Sequence, residues 1–249
     1  MRNELKWRLK RGEQTYGCWV TIESPMCAEL MSTLGFDWFV FDTEHSPLDI
    51  YQTQTLMQVM KGDATTPIVR VWWNDIVAIK RALDIGAYGV LVPWVNSKEE
   101  AELAVKATRY APEGLRGCGP RRASMFDPEY YKTVDRELLV ICQIETKKAV
   151  ENIEDIASVE GVDVTYIGPA DLSASHGHLG NMSHPEVQEA IDKVFDATKA
   201  AGKVAGIHMG SGKTIKERME KGYEFITIGN DLSLLRKGTT DLMKSLGLK

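Results

Sequence analysis

The chain has 249 residues and a mass of 27.8 kDa, with 43% hydrophobic and 26% charged residues. This composition is ordinary for a soluble globular protein, and the length suits one (β/α)₈ barrel spanning residues 1–249 as a single domain. The formal net charge of −5 and the pI near 5.6 argue against a nucleic-acid partner or an anionic membrane surface. No apolar run reaches the ~18 residues of a membrane span, so no membrane partner is expected.

The N-terminal segment, residues 1–10, is charged and amphipathic and lacks the apolar core of a signal peptide. Leu5 and Leu9 are four residues apart, which predicts a capping helix lying across one mouth of a barrel. The cysteines form no CxxC pair, so we expect reduced, mostly buried thiols in a cytoplasmic protein. They are Cys18, Cys27, Cys118 and Cys142.

Eight short apolar runs of β type follow one another along the chain, with helical patterns between them. The runs cover residues 16–22, 38–41, 67–71, 89–92, 139–144, 164–167, 204–207 and 225–228. The helical patterns cover residues 24–34, 50–60, 75–83, 98–108, 147–157, 185–201, 214–220 and 231–246. Buried strands separated by helices predict a parallel sheet. Eight such units in about 250 residues favour a closed (β/α)₈ barrel over an open doubly wound sheet.

Polar residues stand where several of these strands end, and barrels build their active sites from those ends and the loops after them. The candidates are Asp42, Glu44 and His45 after the second strand, Arg70 on the third, Gln143 and Glu145 on the fifth, and residues 168–171 after the sixth. Two carboxylates placed like Glu145 and Asp171 can hold one hard divalent cation with positions left for substrate. These groups meet only if the barrel closes in register.

Each candidate also has a plainer interpretation. A carboxylate at a strand end often caps the next helix, which applies to both Glu145 and Asp171. Arg70 is costly to bury without an anionic partner, which Asp42 or Glu44 could supply. A Gly-Ser-Gly segment at 210–212 could cradle a phosphate after the seventh strand, but it is short, and a simple helix-start turn is the preferred interpretation.

The histidines need the same comparison, because a lone histidine is more often a surface or hydrogen-bonded group than a catalytic one. His208, after the seventh strand, either competes with His45 for the site or is simply packed. The other three histidines crowd a polar loop beyond Asp171 and indicate a solvated segment. They are His176, His178 and His184.

Four segments in chain order carry a resemblance to a known family. They are Phe-Asp-Thr-Glu-His-Ser-Pro (41–47), Leu-Asp-Ile-Gly-Ala-Tyr-Gly-Val-Leu-Val-Pro (83–93), Gln-Ile-Glu-Thr (143–146) and Gly-Pro-Ala-Asp-Leu-Ser (168–173). Together they resemble the HpcH/HpaI aldolases, class II pyruvate aldolases of the 4-hydroxy-2-oxoheptanedioate aldolase type. The likeness runs from about residue 16 to residue 233. It implies a barrel of the phosphoenolpyruvate/pyruvate-binding type in a homo-oligomer, often a hexamer, that exchanges its last helix.

The resemblance also implies roles for individual residues. Glu145 and Asp171 match the ligands of a divalent metal cofactor, for which an oxygen-dominated site suits Mg²⁺, Mn²⁺ or Co²⁺. Gln143, Ala170 and Asp171 match substrate contacts. Among the catalytic residues, His45 matches the base and Arg70 the group that stabilises the enolate. Asp84 matches the acid that raises the basicity of the histidine, a role that rests wholly on resemblance because its position otherwise indicates a helix end.

The reaction expected from this resemblance is reversible cleavage of a 4-hydroxy-2-oxo acid into pyruvate, or hydroxypyruvate, and an aldehyde. Related barrels use the same site to decarboxylate oxaloacetate or to trap its enolate with another electrophile, which is the main alternative. A non-catalytic metabolite-binding barrel is the alternative outside enzymology. It would lack metal-dependent turnover, and the presence of all the matching residues speaks against it.

Two departures from the family pattern affect the aldehyde end of the expected site. Ser46 follows the histidine where relatives commonly have glycine. The segment 114–124 keeps the character of a family loop that shapes the aldehyde pocket but looks shorter; it lies in the long irregular connection 110–131. Its arginines could meet an acidic or hydroxylated aldehyde, or could form ion pairs between subunits. They are Arg116, Arg121 and Arg122.

Overall fold

The computed structural model describes residues 1–61, 65–125, 127–210 and 212–248, and its eight parallel strands close into a barrel in chain order. The predicted (β/α)₈ fold is confirmed, and the fourth to seventh predicted strands have the predicted bounds. The strands are β1 (Thr15–Val20), β2 (Trp38–Asp42), β3 (Thr66–Arg70), β4 (Gly89–Val92), β5 (Leu139–Ile144), β6 (Val164–Ile167), β7 (Val204–Ile207) and β8 (Phe225–Asn230). The suggested phosphate cradle at 210–212 includes residue 211, which lies outside the described residues.

Helices surround this barrel, and most begin within two residues of the predicted start. They are α1 (Glu4–Lys10), α2 (Pro25–Ser32), α3 (Ile50–Val59), α4 (Ile76–Asp84), α5 (Lys98–Thr108), α6 (Tyr130–Glu137), α7 (Lys147–Glu151), α8 (Ile153–Ser158), α9 (Pro169–Ser175), α10 (Pro185–Ala200), α11 (Gly212–Lys221) and α12 (Asp231–Ser245). The pattern at 147–157 was predicted as one helix, but Asn152 interrupts it. Within the described ranges, none of the helices combines the length and hydropathy needed to cross a bilayer.

Side chains alternate between the inside of the barrel and the layer under the helices, as the two-residue period of a strand requires. On β2, Trp38 and Val40 belong to the interior cluster, whereas Phe39 and Phe41 pack beneath the helices. The indole of Trp38 stacks on the ring of Phe225 with centroids 3.8 Å apart. Gly17 is required beside it, because a Cβ at that position would lie 2.0 Å from the Trp38 ring. The interior is therefore filled with side chains and forms no open channel.

The N-terminal helix closes the barrel at the end where the strands start, as predicted. Leu5 and Leu9 of α1 are 2% and 3% exposed and join the interior cluster. Asn3 caps α1 and donates from Nδ2 to the Tyr88 carbonyl at 3.0 Å, and Lys6 Nζ donates to the Leu138 carbonyl at 2.6 Å. Tyr88 and Leu138 immediately precede β4 and β5. These hydrogen bonds and the burial of Leu5 and Leu9 close the end of the barrel where the strands start, and the opposite end stays open.

The cysteines are all free, in agreement with the reduced thiols expected from the sequence. They are less buried as a group than predicted, because only Cys18 and Cys142 are buried, while Cys27 is half-buried and Cys118 is exposed.

Candidate active site

The last inward-facing positions of neighbouring strands bring most of the predicted site residues together. Asp42 is paired in register with Arg70, and Gln143 with Tyr166. Because inward positions alternate along each strand, Gln143 follows Leu139 and Ile141 on the inner face of β5. The barrel register therefore gathers polar groups in one layer, directly above the apolar interior.

Glu145 lies just beyond β5 and is 2% exposed. Its Oε1 accepts a hydrogen bond from the Trp94 backbone N–H at 2.9 Å, and its Oε2 accepts one from Gln143 Nε2. The pKa of Glu145 is raised to about 7, chiefly by burial and also by the negative charges of Asp171 and Glu44. The interpretation of Glu145 as a helix cap is wrong, because Thr146 caps α7.

Asp171 and Ala170 lie in the first turn of α9, which begins at Pro169 after the N-cap residue Gly168. Asp171 is therefore within the helix and is not its cap, so this plainer interpretation is also wrong. The first N–H groups of a helix have no acceptor inside it, and they carry the positive end of the helix dipole. The start of α9 thus offers donors to a small carboxylate.

The carboxylates around Glu145 fit a bound divalent cation. Two of them, Asp171 and Glu44, disfavour the charged form of Glu145, and burial raises the pKa of Glu44 itself. Such repulsion is relieved when a cation lies between the groups. Gly168 also keeps this space open, because a Cβ there would lie 2.8 Å from Glu145 Oε2 and 2.9 Å from Gln143 Nε2. Oxygen ligands of this kind suit Mg²⁺ or Mn²⁺.

Arg70 is 6% exposed and is paired with both anions that the sequence suggested. Its Nε and Nη2 donate to the two oxygens of Asp42 at 2.9 and 2.7 Å. Its Nη1 lies 2.9 Å from Glu44 Oε2 in an ion pair that lacks the angles of a hydrogen bond. The guanidinium carbon is 4.2 Å from the centre of the Trp19 ring. Arg70 is thus a fixed positive charge beside the carboxylates.

His45 stands at the open end, and its side chain is 61% exposed. Its backbone N–H donates to Asp42 Oδ1 at 3.2 Å, and its Nε2 lies 3.8 Å from Glu44 Oε1. Ser46, the departure from the family pattern, donates from its hydroxyl to the Asp42 carbonyl. Ser46 therefore holds the turn that presents His45, and its hydroxyl is occupied by that contact.

His208 is also close to the site but has the character of a packed group. Its ring meets Trp19 edge-on with centroids 5.4 Å apart, and Nδ1 lies 3.4 Å from the Tyr166 hydroxyl. The pKa of His208 is lowered to about 4, chiefly by burial and also by the charge of Arg70. These contacts favour the packed interpretation, although the ring also borders the cavity described below.

A cavity of about 200 Å³ unites these groups and is large enough for a small acid. Its lining includes all of the predicted catalytic and substrate-binding residues except Asp84. Glu145 is not part of the lining but accepts a hydrogen bond from Gln143, which is. The sequence interpretation missed several lining residues, of which Trp19 is the most informative. Alternation along the first predicted strand was the signal that could have placed Trp19 inside. The lining is Trp19, Thr21, Asp42, His45, Arg70, Gln143, Tyr166, Gly168, Pro169, Ala170, Asp171, His208 and Asn230.

Asp84 is not brought to this cavity within one chain. It ends α4, and the chain then enters β4, so Asp84 lies near the sealed end of the barrel. Its Oδ1 accepts a hydrogen bond at 2.8 Å from Nη2 of Arg116, whose side chain is fully buried. Arg122 of the same segment donates to the Ile85 carbonyl at 2.6 Å. Among the described residues, neither Asp84 nor the 114–124 segment lines the cavity of its own chain.

Comparison with known proteins agrees with the barrel fold. The model of the HpcH/HpaI aldolase/citrate lyase family matches residues 15–238. The chain is 42% identical over 243 residues to the 5-keto-4-deoxy-D-glucarate aldolase of Escherichia coli (strain K12), covering 96% of this chain and 95% of that protein.

Two solved structures extend the comparison. A HpcH/HpaI aldolase/citrate lyase family protein from Burkholderia cenocepacia J2315 superposes with a TM-score of 0.95 at 35% identity, covering 98% of this chain and 99% of that one. The citrate synthase SbnG superposes with a TM-score of 0.87 at 30% identity, covering 98% and 97%. With its closed barrel and this match over nearly its whole length, the chain belongs to the HpcH/HpaI aldolase/citrate lyase family and is an enzyme of the aldolase and lyase class.

Proposed function

We propose that this enzyme is a divalent-metal-dependent aldolase that reversibly cleaves a 4-hydroxy-2-oxo acid into pyruvate, or hydroxypyruvate, and an aldehyde. The observation that carries the proposal is the placement of two mutually repelling carboxylates, Glu145 and Asp171, beside the buried guanidinium of Arg70. A cation site next to a fixed positive charge suits a reaction in which negative charge develops on a keto oxygen.

Glu145 and Asp171 would hold the metal, which when bound polarises the keto group of the substrate as a Lewis acid. Arg70 then supplies fixed positive charge where the keto oxygen becomes negative, and Asp42 prevents the guanidinium from turning away. The N–H groups at the start of α9, near Ala170 and Asp171, bind the substrate carboxylate. Gln143 orients Glu145 through its amide and borders the substrate space.

His45 is the group that we assign to proton transfer at the 4-hydroxyl. It lines the cavity at its open end, where the aldehyde half of the substrate would lie, and an imidazole can both accept and return a proton through its ring nitrogens. His208 is the only other histidine that lines this cavity among the described residues, and its pKa of about 4 makes it a poor base at neutral pH. The proton therefore passes to His45.

For the substrate class, we propose a keto-deoxy sugar acid. The relative with 42% identity is a 5-keto-4-deoxy-D-glucarate aldolase, and its match covers 96% of this chain. The cavity is lined by Arg70 and by residues at the N-terminus of α9, which suits a substrate rich in hydroxyl and carboxylate groups.

An alternative keeps the site and changes the reaction to oxaloacetate decarboxylation, or to capture of an enolate by another electrophile. The likeness to the citrate synthase SbnG favours retaining it. Both reactions need a cation at Glu145 and Asp171 and the positive charge of Arg70. They differ at the open end, where aldol cleavage requires His45 to exchange a proton with a hydroxyl group.

We also propose that the chain acts as one domain within a homo-oligomer, for which a hexamer is the expected form. Helix α12 supports this, because only Asp231 is buried along it while many of its large apolar side chains are exposed. Exposed apolar surface of this extent is typical of an interface. The exposed residues include Leu232, Leu234, Leu235, Leu242 and Met243.

The test is a screen of pyruvate and hydroxypyruvate against a panel of aldehydes, each with Mg²⁺, Mn²⁺ or Co²⁺, together with an assay of oxaloacetate loss. We expect carbon–carbon bond formation that stops when a chelator is added. Oxaloacetate loss far faster than any aldol reaction would establish the alternative. Turnover that is unchanged in chelator would refute the metal-dependent mechanism.

A further inference from the structure

A second group of metal-binding side chains lies outside the active site, in the loop between α9 and α10 and at the start of α10. His178, His184 and Glu186 each place one ligand atom within 4.8 Å of the others. The sequence alone indicated a solvated histidine loop here. The structure instead brings two imidazoles and a carboxylate to one point.

The ligand atoms of this cluster lie close together, although the two stacked rings would have to turn before both could bind one ion. His178 Nε2 lies 2.9 Å from Glu186 Oε2, and the rings of His178 and His184 stack with centroids 3.4 Å apart. Zinc bonds of about 2.0–2.1 Å to nitrogen place tetrahedral ligand atoms about 3.4 Å apart. Glu186 already meets this spacing from His178, so the adjustment needed is rotation of an imidazole out of the stack, and the exposed side chain of Glu186 can follow it.

The backbone holds the two rings in place. The His178 N–H donates to the Ser173 carbonyl at 2.7 Å, and the His184 N–H donates to the Asn181 carbonyl at 3.1 Å. The Glu186 N–H donates to Nδ1 of His184, the N-cap residue of α10, at 3.3 Å. A loop tied by its backbone at both histidines loses little backbone freedom when an ion binds, which favours affinity. The bond to His184 Nδ1 is given up on binding, because that nitrogen then either holds the ion or carries the proton.

His176, in the same segment, gives independent support for a bound ion or water near this loop. Its Nε2 is buried and has no hydrogen-bond partner among the described residues. A buried ring nitrogen without a partner is costly, and an ion or a water near it would remove that cost. His176 is also near Glu186, because its charge contributes to lowering the pKa of that carboxyl, after the larger effects of His178 and His184.

We propose that His178, His184 and Glu186 bind a zinc-class transition-metal ion. Imidazole nitrogens favour Zn²⁺, Ni²⁺ or Cu²⁺ over the oxygen-preferring Mg²⁺, so the ion differs in class from the one expected between Glu145 and Asp171. The ion ties the loop after α9 to the first turn of α10. It thereby fixes the C-terminal end of the short helix whose other end carries Ala170 and Asp171. Its role is structural, and the proposal does not depend on the reaction catalysed.

The test measures zinc binding by the full-length, tag-free chain after chelator treatment, with Zn²⁺ alone as the probe. Glu145→Ala serves as the background, because it removes the active-site ligand. In this background we expect one zinc per chain by equilibrium dialysis, retained with Glu189→Gln and lost with His184→Asn. Glu189 is an exposed residue of α10 outside the cluster, and asparagine preserves a helix cap. Circular dichroism checks that each variant is folded.

Two further measurements make the result decisive. At a hundredfold excess over its dissociation constant, Zn²⁺ should raise the melting midpoint of the background variant by about 5 °C or more, and should not do so with His184→Asn. Anomalous diffraction from zinc-soaked crystals should show an ion within bonding distance of both rings. Equal zinc content in His184→Asn and Glu189→Gln, or an ion found only beside Asp171, would overturn the proposal while leaving the proposed aldolase intact.

Discussion

The backbone N–H of Trp94 donates a hydrogen bond to Glu145 Oε1 at 2.9 Å from a residue in the left-handed region, with φ of +54°. This conformation is costly for a bulky side chain, so its presence beside a buried carboxylate indicates that the position of Glu145 matters. The bond opposes the effect of burial on the Glu145 pKa and leaves the other oxygen directed toward Gln143.

Glu145→Ala should abolish cation binding and lower turnover at least about a hundredfold, because it removes one of the two proposed anionic metal ligands. The fold should persist, since alanine removes a buried charge from a crowded site. Titration calorimetry with Mn²⁺ and steady-state assays measure the two effects. Glu151→Ala, an exposed glutamate on the helix that follows, is the matched control and should behave as wild type. Full turnover of Glu145→Ala in chelator would contradict the assignment.

Gly168→Ala should weaken metal binding about 10- to 100-fold, because the added Cβ would displace Glu145 Oε2, which lies 2.8 Å from it. Gly238→Ala is the control, since a Cβ at that helical position meets nothing within 4 Å. The measurement is Mn²⁺ affinity, with thermal unfolding as the test of folding. Equal affinities in the two variants would show that the space beside Gly168 is not needed.

Metal binding should release a proton at mildly acidic pH. The pKa of Glu145 is raised from 4.5 to about 7, so the metal-free group is largely protonated at pH 6 and largely ionised at pH 8. Binding should therefore release about 0.9 protons from Glu145 at pH 6 and about 0.1 at pH 8. Calorimetry in two buffers of different ionisation enthalpy counts these protons. The same shift makes the stability of the metal-free protein depend on pH. Because the folded state binds the Glu145 proton more tightly than the unfolded state does, Glu145 stabilises the metal-free fold below pH 4.5, and this contribution is lost as the pH rises through about 7. A binding enthalpy that is independent of buffer at pH 6 would argue against this account.

Arg70→Lys should lower kcat about 10²–10³-fold with a smaller change in KM, as expected for a donor that acts mainly in the transition state. Lysine keeps the positive charge but cannot reproduce the two bonds to Asp42. It is a cleaner variant than Arg70→Ala, which leaves Asp42 buried and unpaired and should destabilise the fold by about 3–5 kcal/mol. If only KM rises in Arg70→Lys, Arg70 is a binding residue.

The predicted role of Asp84 requires a second subunit, because Asp84 lies near the sealed end of its own barrel and bonds to Arg116. Mixed oligomers of His45→Ala and Asp84→Asn chains should then regain activity, since a site can take His45 from one chain and Asp84 from its neighbour. Random mixing in equal amounts should restore about one quarter of wild-type activity for sites shared by two chains. Co-expression with two distinct tags provides the mixed species. No recovery in a verified mixed oligomer would leave Asp84 as the structural partner of Arg116 alone.

The fold was largely predictable because fully buried parallel strands leave a simple record in the sequence. Short apolar runs bounded by polar residues gave β4 through β7 with their observed limits. Helix α6 was missed because it is short and adjoins a Gly-, Pro- and Arg-rich connection. Its buried positions, Tyr130, Val134 and Glu137, include a charged residue that hides the helical period.

Within the site, residues placed by the ends of strands could be predicted from the sequence, whereas contacts that depend on loop shape or on packing across the barrel could not. Strand ends placed Gln143, Arg70 and Asp171 in one cavity, and the anionic partners of Arg70 were foreseen because a buried guanidinium needs them. The left-handed Trp94 and the ring of Trp19 over Arg70 depend on loop shape and on cross-barrel packing. Neither leaves a periodic pattern in a single chain.

Leu5 and Leu9 close one end of the barrel, so substrate and products must enter and leave the cavity through the opposite, open end. In the proposed cleavage, the keto-acid fragment lies deeper, against Glu145 and Arg70, and the aldehyde fragment lies nearer the exit, beside His45. The outer fragment must therefore depart before the inner one, and the order of product release is built into the architecture of the barrel.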